Sequence, residues 1–158
     1  MPENFSLAFF VKAITIFKFL HTKYNHNMNT AVVMLGSNYQ KEENLERAKE
    51  LLSDFFEITD QSAVYTTKPV GEKHKNEFLN QALILLSADT AKETQKHFKH
   101  IEDLLGRSPL TNMMGDVPID IDLLYWNGQL KRNDYEKFEF VRECIDELME
   151  RNKASFEV

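Results

Sequence analysis

The run Val117-Pro118-Ile119-Asp120-Ile121-Asp122-Leu123-Leu124-Tyr125-Trp126 constrains this chain more than any other. It reads as a buried β-strand with two carboxylates on one face. Residues two apart on a strand project to the same side, with Cα atoms roughly 6.5–7 Å apart. Asp120 and Asp122 therefore share a face, and Ile119, Ile121, Leu123 and Tyr125 are expected to fill the opposite one. Two carboxylates this close in an apolar strand repel each other and resist desolvation unless something cationic joins them. A hard divalent cation shared with substrate phosphates would do so. So would arginine or lysine, and a solvated strand face is the remaining arrangement. Spacing alone leaves all three open.

The 158 residues suffice for one domain with a sizeable core. A net charge of −6, with 28% charged and 42% hydrophobic residues, is that of an ordinary soluble globule. The acidic balance argues against nucleic acid as a partner, which calls for a basic face, and against a ferredoxin-like RNA binder, which needs a basic aromatic sheet surface. It leaves room for a nucleotide, whose phosphates need only local Arg or Lys. The single cysteine, Cys144, excludes an internal disulfide and a cysteine zinc cluster, and fits a cytoplasmic protein.

The first 27 residues do not resemble the rest. Phe5 to Leu20 is apolar but interrupted by Lys12 and Lys18, too short and too charged for a membrane span of about 20 apolar residues. Glu3 and the lack of a small-residue cleavage site argue against a secretory signal. Because Met28 opens a conventional first strand, residues 1–27 are expected to be an extension ahead of a domain spanning 28–158. That extension reads as a misplaced translation start or an amphipathic surface segment.

From there the element order is legible. Ala31–Leu35 is an apolar strand ending at Gly36-Ser37-Asn38, a turn with helix-capping residues. Glu42–Phe56 carries Leu45, Ala48, Leu51, Leu52 and Phe55 on one helical stripe. Glu57–Tyr65 alternates as a strand, Thr66–Gly71 is a loop broken by Pro69, and Glu77–Leu86 is a second apolar strand. Ala91–Leu105 is a helix ended by Gly106. The loop Arg107–Asp116 leads to the aspartate strand, and Glu139–Asn152 is a final helix. The order β-α-β-β-α-β plus a helix predicts an α+β, ferredoxin-like split βαβ sandwich, with helices on one face of an antiparallel sheet.

Several residues could work with the aspartates. Arg107, just after Gly106, could clamp a phosphate through its planar donor fork, or simply complement the helix dipole. Glu102 lies in the last helical turn, an unfavourable place for an anion. Phe78 and Asn80 share a strand face, so a flat heterocycle could stack on one while the other reads its edge. A core Phe with a surface Asn is the plainer alternative. The Pro69–Gly71 loop could wall such a pocket or be an ordinary turn. His97 and His100 have metal-pair spacing, but Lys96 and Lys99 beside them favour a solvated helix face.

In combination these pieces resemble the 6-hydroxymethyl-7,8-dihydropterin pyrophosphokinase family of folate biosynthesis. The matching features are Leu35-Gly36-Ser37-Asn38, Tyr65 through Gly71, Phe78-Leu79-Asn80, Ile101-Glu102 with Leu105-Gly106-Arg107, and Ile119 through Leu124. The resemblance implies diphosphate transfer from ATP to the hydroxymethyl group of the pterin, leaving AMP. It implies that Asp120 and Asp122 hold two Mg²⁺ ions and that Phe78 stacks on the pterin. Asn80 would bond the pterin edge with help from backbone groups of Thr67, Pro69 and Val70. Arg107 would act on the phosphates, and Glu102 would sit on the ATP side. ATP and a pterin are the implied ligands, with no stable membrane insertion and a monomer or weak dimer.

This chain also departs from the family pattern. Val117 stands where an Arg is usual, and Met114 where a loop tryptophan closes over the substrates. The usual Pro-His segment, with its following Arg and stacking aromatic, is replaced by Lys131 to Phe140. Arg132, Lys137 or Arg142 could restore a charge there, and Phe138 or Phe140 an aromatic. The alternative function is therefore a non-catalytic pterin- or nucleotide-binding relative.

Overall fold

The structure, a computed structural model, describes residues 28–69, 71 and 75–156. The expected extension 1–27 and the pocket residue Val70 lie outside the described residues. The elements run β1 (Asn29–Ser37), α1 (Lys41–Ser53), β2 (Glu57–Gln61), β3 (Tyr65–Thr67), β4 (Phe78–Ser87) and α2 (Ala91–Leu104). They continue with α3 (Pro109–Met114), β5 (Asp120–Trp126), β6 (Gln129–Leu130), α4 (Asp134–Lys137) and α5 (Glu139–Phe156). The sheet order is β2-β4-β1-β5-β6, antiparallel throughout, with β3 extending β2 along β4. Strand β4 thus lies between β1 and β2, the split βαβ order.

Helices α1 and α2 lie on one face, where Leu45, Ala48, Leu52, Phe98 and Ile101 meet Val33, Leu35, Leu83, Leu85, Ile119, Ile121 and Leu123. The final helix packs on the other face. Its Val141, Cys144, Ile145, Leu148 and Met149 pack on Val32, Met34, Ala82 and Ile84. Each such side chain contributes about 1.5–3 kcal/mol on full burial, enough to hold α5 despite its many charges. The sheet is therefore covered on both sides, not on one.

Four local expectations change. Tyr125 does not join Ile119, Ile121 and Leu123: Val32 pairs with Tyr125 but Val33 with Leu123, so Leu124 is an extra residue that reverses the alternation. Tyr125 lies in the α5 cluster and Trp126 takes the place expected for it. Likewise α1 stops at Ser53, leaving Phe55 exposed against His97 while Phe56 enters the core. Asn38 does not cap α1. Its Oδ1 accepts from Val117 N–H at 2.6 Å and its Nδ2 donates to the Gly115 carbonyl at 2.9 Å, fastening the approach to β5. The strand expected to run from Glu57 to Tyr65 breaks at Ser62, whose Oγ accepts from Ala82 N–H. Its continuation as β3 takes in Thr66 and Thr67, which the sequence assigns to a loop.

Candidate active site

Beyond the end of α5 the second face of the sheet is open, and the residues facing it are those that the strand period puts there. Phe78 and Asn80 precede Ala82 and Ile84 on β4, Gly36 follows Met34 on β1, and Asp120 and Asp122 stand beside them on β5. Together with Thr67, Lys68, Arg132, Asp134 and the segment from Lys137 to Val141, they line a cleft of about 690 Å³. Gly36 keeps its floor flat: a Cβ there would stand 3.4 Å from Asn80 Oδ1 and 4.0 Å from Phe78 Cδ1. Asn80 Nδ2 donates to Thr67 Oγ1 at 2.8 Å and to the Tyr65 carbonyl at 3.3 Å. This fixes the amide with its oxygen over Gly36, an acceptor for ligand N–H groups.

A smaller cavity of about 230 Å³ lies against α2, lined by Gln95, Phe98, Lys99, Glu102, Ile121 and Leu123. Asp120, Asp122 and Arg132 border both cavities. The aspartates thus stand where two ligands would meet.

Both aspartates are paired with arginine in this state, one of the arrangements their spacing allowed. Gly106, with φ 100°, ends α2 and turns the chain so that Arg107 reaches Asp120 at 2.7 Å and Glu102 at 3.3 Å. Arg132 meets Asp122 at 3.1 Å and Asp134 at 3.2 Å. Glu102 is buried and its carboxylate also accepts from Ile121 N–H at 2.9 Å. Burial, and then Asp120, push its pKa up to about 7 against the pull of that N–H and of Arg107. Burial and the charge of Asp120 likewise push Asp122 up to about 7, despite Arg132. Burial would lower the Arg107 pKa, but its contact with Asp120 raises it, so the guanidinium stays charged.

Among the described residues no three His, Cys, Asp or Glu side chains form a metal cluster. The donor chemistry nevertheless fits a hard cation: two carboxylates on one face, in a cleft lined by five carboxylates and three cationic side chains. A magnesium ion held by only two carboxylates takes its other ligands from water and phosphate oxygens.

Of the sequence-predicted residues that the structure describes, all but two line the cavities. Asp120, Asp122, Phe78, Asn80 and Thr67 line the large cleft, and Glu102 the small one. Arg107 lines neither and stands behind Asp120; Pro69 is not a lining residue, whereas its neighbour Lys68 is. Of the replacements available in the C-terminal segment, Arg132, Lys137, Phe138 and Phe140 line the cleft. Arg142 instead bonds the carbonyls of Tyr135 and Glu136. Sequence reasoning missed Asp134, whose place at the start of a short helix after Asn133 is a local signal, and Glu143, which carries none. It also missed α3, where Ser108 and Thr111 form a capping box that spans Pro109. His97 is partly buried against Phe55 and Asp89, whereas His100 is exposed. No helix among the described residues is long and apolar enough to cross a membrane.

The chain is 31% identical over 97 residues to a folate synthesis bifunctional protein of Arabidopsis thaliana, a match covering 60% of this chain and 20% of that protein. It thus spans about a fifth of the length of that relative. Among solved structures it is similar to the wild-type HPPK-DHPS of Plasmodium falciparum (TM-score 0.49, 16% identity, 87% of this chain and 38% of that one). A triple mutant of that HPPK-DHPS with SDX-DHP matches with a TM-score of 0.49 and 17% identity, over 68% of this chain and 31% of that one. Residues 32–150 match the family model of 7,8-dihydro-6-hydroxymethylpterin-pyrophosphokinase, HPPK, and the chain belongs to that family.

Proposed function

We propose that residues 28–158 transfer diphosphate from ATP to the hydroxymethyl group of 6-hydroxymethyl-7,8-dihydropterin, with Mg²⁺, leaving AMP. The observation that carries this reading is one sheet face bearing both an aromatic-and-amide pair and an aspartate pair, in a cleft that meets a second cavity at the aspartates. Phe78 offers a flat heterocycle its ring, and Asn80 Oδ1 accepts from the amino and imino edge of a pterin. Phe138 and Phe140 add apolar surface to the same cleft, and Glu102 lines the cavity left for the nucleotide. Asp120 and Asp122 hold Mg²⁺, whose chemistry when bound is to neutralise phosphate charge and favour in-line displacement. Arg107 orients Asp120 and reaches phosphate only by leaving it. A free buried cysteine fits the reducing cytoplasm.

The second reading, a binding relative without turnover, is favoured by Val117. Its side chain is buried and its N–H is committed to Asn38, so no cation enters from that position. AMP formation from ATP and Mg²⁺, with and without the pterin, separates the two. Pterin-dependent AMP that disappears in Asp120→Ala supports the enzyme. Absence of AMP alongside calorimetric pterin binding overturns it and leaves the binding relative.

A further inference from the structure

We infer that Arg132 is the phosphate-contacting arginine of this site and that buried Asp134 is its positioning residue. On this view the guanidinium exchanges Asp122 for nucleotide phosphate when a cation takes the aspartates. The inference rests on the proposed use of ATP and names a residue pair for it.

Three observations carry it. Arg132 borders both cavities together with Asp120 and Asp122, so it stands where a polyphosphate crossing from one to the other must pass. Its two contacts are unequal in kind. The Nε is held at 3.2 Å by Asp134, which is 7% exposed and anchored at the start of α4, where its carbonyl accepts from Phe138 N–H. The outer NH1 reaches Asp122 at 3.1 Å, and that carboxylate is 22% exposed against 10% for the side chain of Asp134. The Arg132 side chain is itself 51% exposed, so the end that meets Asp122 can move while Asp134 retains the other. An arginine gripped through Nε keeps its terminal nitrogens as a planar donor pair suited to a phosphate. A lysine, being a point charge with no Nε, could not be held in this way.

The exchange follows from charge. Without cation, Asp122 is the carboxylate that this end of Arg132 contacts among the described residues. A divalent cation on Asp120 and Asp122 competes with the guanidinium for the same carboxylate, and an arriving triphosphate offers the displaced NH groups a better acceptor. Arg132 should therefore oppose cation binding alone and favour binding of cation with nucleotide. A merely structural arginine would do neither.

The test is calorimetry on the full chain with Mg²⁺ alone, with Mg²⁺ and a non-hydrolysable ATP analogue, and with the pterin alone. Arg132→Gln should weaken the Mg²⁺-nucleotide analogue roughly 10- to 100-fold, the scale of one charge-assisted hydrogen bond. The same variant should bind Mg²⁺ alone more tightly than wild type and leave pterin affinity unchanged. Asp134→Asn should weaken nucleotide binding in the wild-type background and have no further effect when added to Arg132→Gln. Thermal unfolding checks that both variants fold. Nucleotide affinity unaltered in Arg132→Gln, or additive losses in the double variant, would overturn the inference while the proposed function stands. Failure of wild type to bind the Mg²⁺-nucleotide analogue would overturn both.

Discussion

Glu102→Gln should make the cation-free protein more stable above neutral pH and leave it unchanged in mild acid. The buried Glu102 carboxyl titrates at about 7 in the folded chain and near 4.5 when free. Between those values the folded state holds a proton that the unfolded chain has released, so stability falls as pH rises through the interval. At 1.36 kcal/mol per pH unit the loss reaches about 3 kcal/mol by pH 8. Glutamine is nearly isosteric and still offers an oxygen to Ile121 N–H, the 2.9 Å bond that ties α2 to β5. It gives up the 3.3 Å charge contact with Arg107, but that guanidinium keeps its 2.7 Å contact with Asp120. The net gain at pH 8 should be on the order of 1–2 kcal/mol, and at pH 4.5 close to zero. Urea unfolding of both proteins at the two pH values, with chelator present, measures it. Asp122 titrates in both proteins, so the difference isolates Glu102. A variant less stable than wild type at pH 8 would refute the reasoning, because it would mean that Glu102 is ionised and stabilised by Arg107.

Asp122→Ala should abolish Mg²⁺-dependent nucleotide binding while preserving cooperative unfolding; calorimetry showing normal MgATP binding would remove it as a metal ligand. Phe78→Ala should weaken the pterin about 2- to 12-fold, the worth of one aromatic stack, with nucleotide affinity unchanged; equal losses for both ligands would count against stacking. Leu148→Ala should cost about 2–5 kcal/mol in urea unfolding, because Leu148 is fully buried under the second face of the sheet; a cost below about 1 kcal/mol would mean that α5 is not packed there. Because Asp122 and Glu102 both titrate at about 7, Mg²⁺-nucleotide binding should release protons at pH 6.5 and cease to do so by pH 8.5. Titrations in buffers of different ionisation enthalpy would show this, and equal heats across buffers at pH 6.5 would refute it.

The parts of this fold legible in the sequence are those set by local period and punctuation. Ala31–Leu35 and Leu83–Leu86 are apolar runs buried on both sides, Thr90 and Gly106 bracket α2, and Asp120 and Asp122 share a face because the strand repeat is two. What escaped was decided by pairing across the sheet. The extra residue at Leu124 is invisible until β1 is laid beside β5, yet it sends Tyr125 under α5 and Trp126 under α1 and α2. Asn38 has the chemistry of a helix cap, but its partners, Gly115 and Val117, lie more than 70 residues on. One missed feature was available locally. Asn127-Gly128 is a strong hairpin signal, and with φ values of 50° and 78° it folds β6 back onto β5.

That hairpin is also what completes the acidic centre. By returning the chain beside β5 it brings Arg132 and Asp134 to Asp122, as the turn at Gly106 brings Arg107 to Asp120. The centre then holds Glu102, Asp120, Asp122 and Asp134 against two guanidiniums, a deficit of two positive charges. The shortfall is consistent with Glu102 and Asp122 keeping protons to about pH 7. One divalent cation would close it without changing a single side chain. Natural cores avoid such arrangements, since carboxylates left short of positive charge lower stability at working pH. The same four acids and two arginines are what a site needs if its missing charge is to arrive with the substrate.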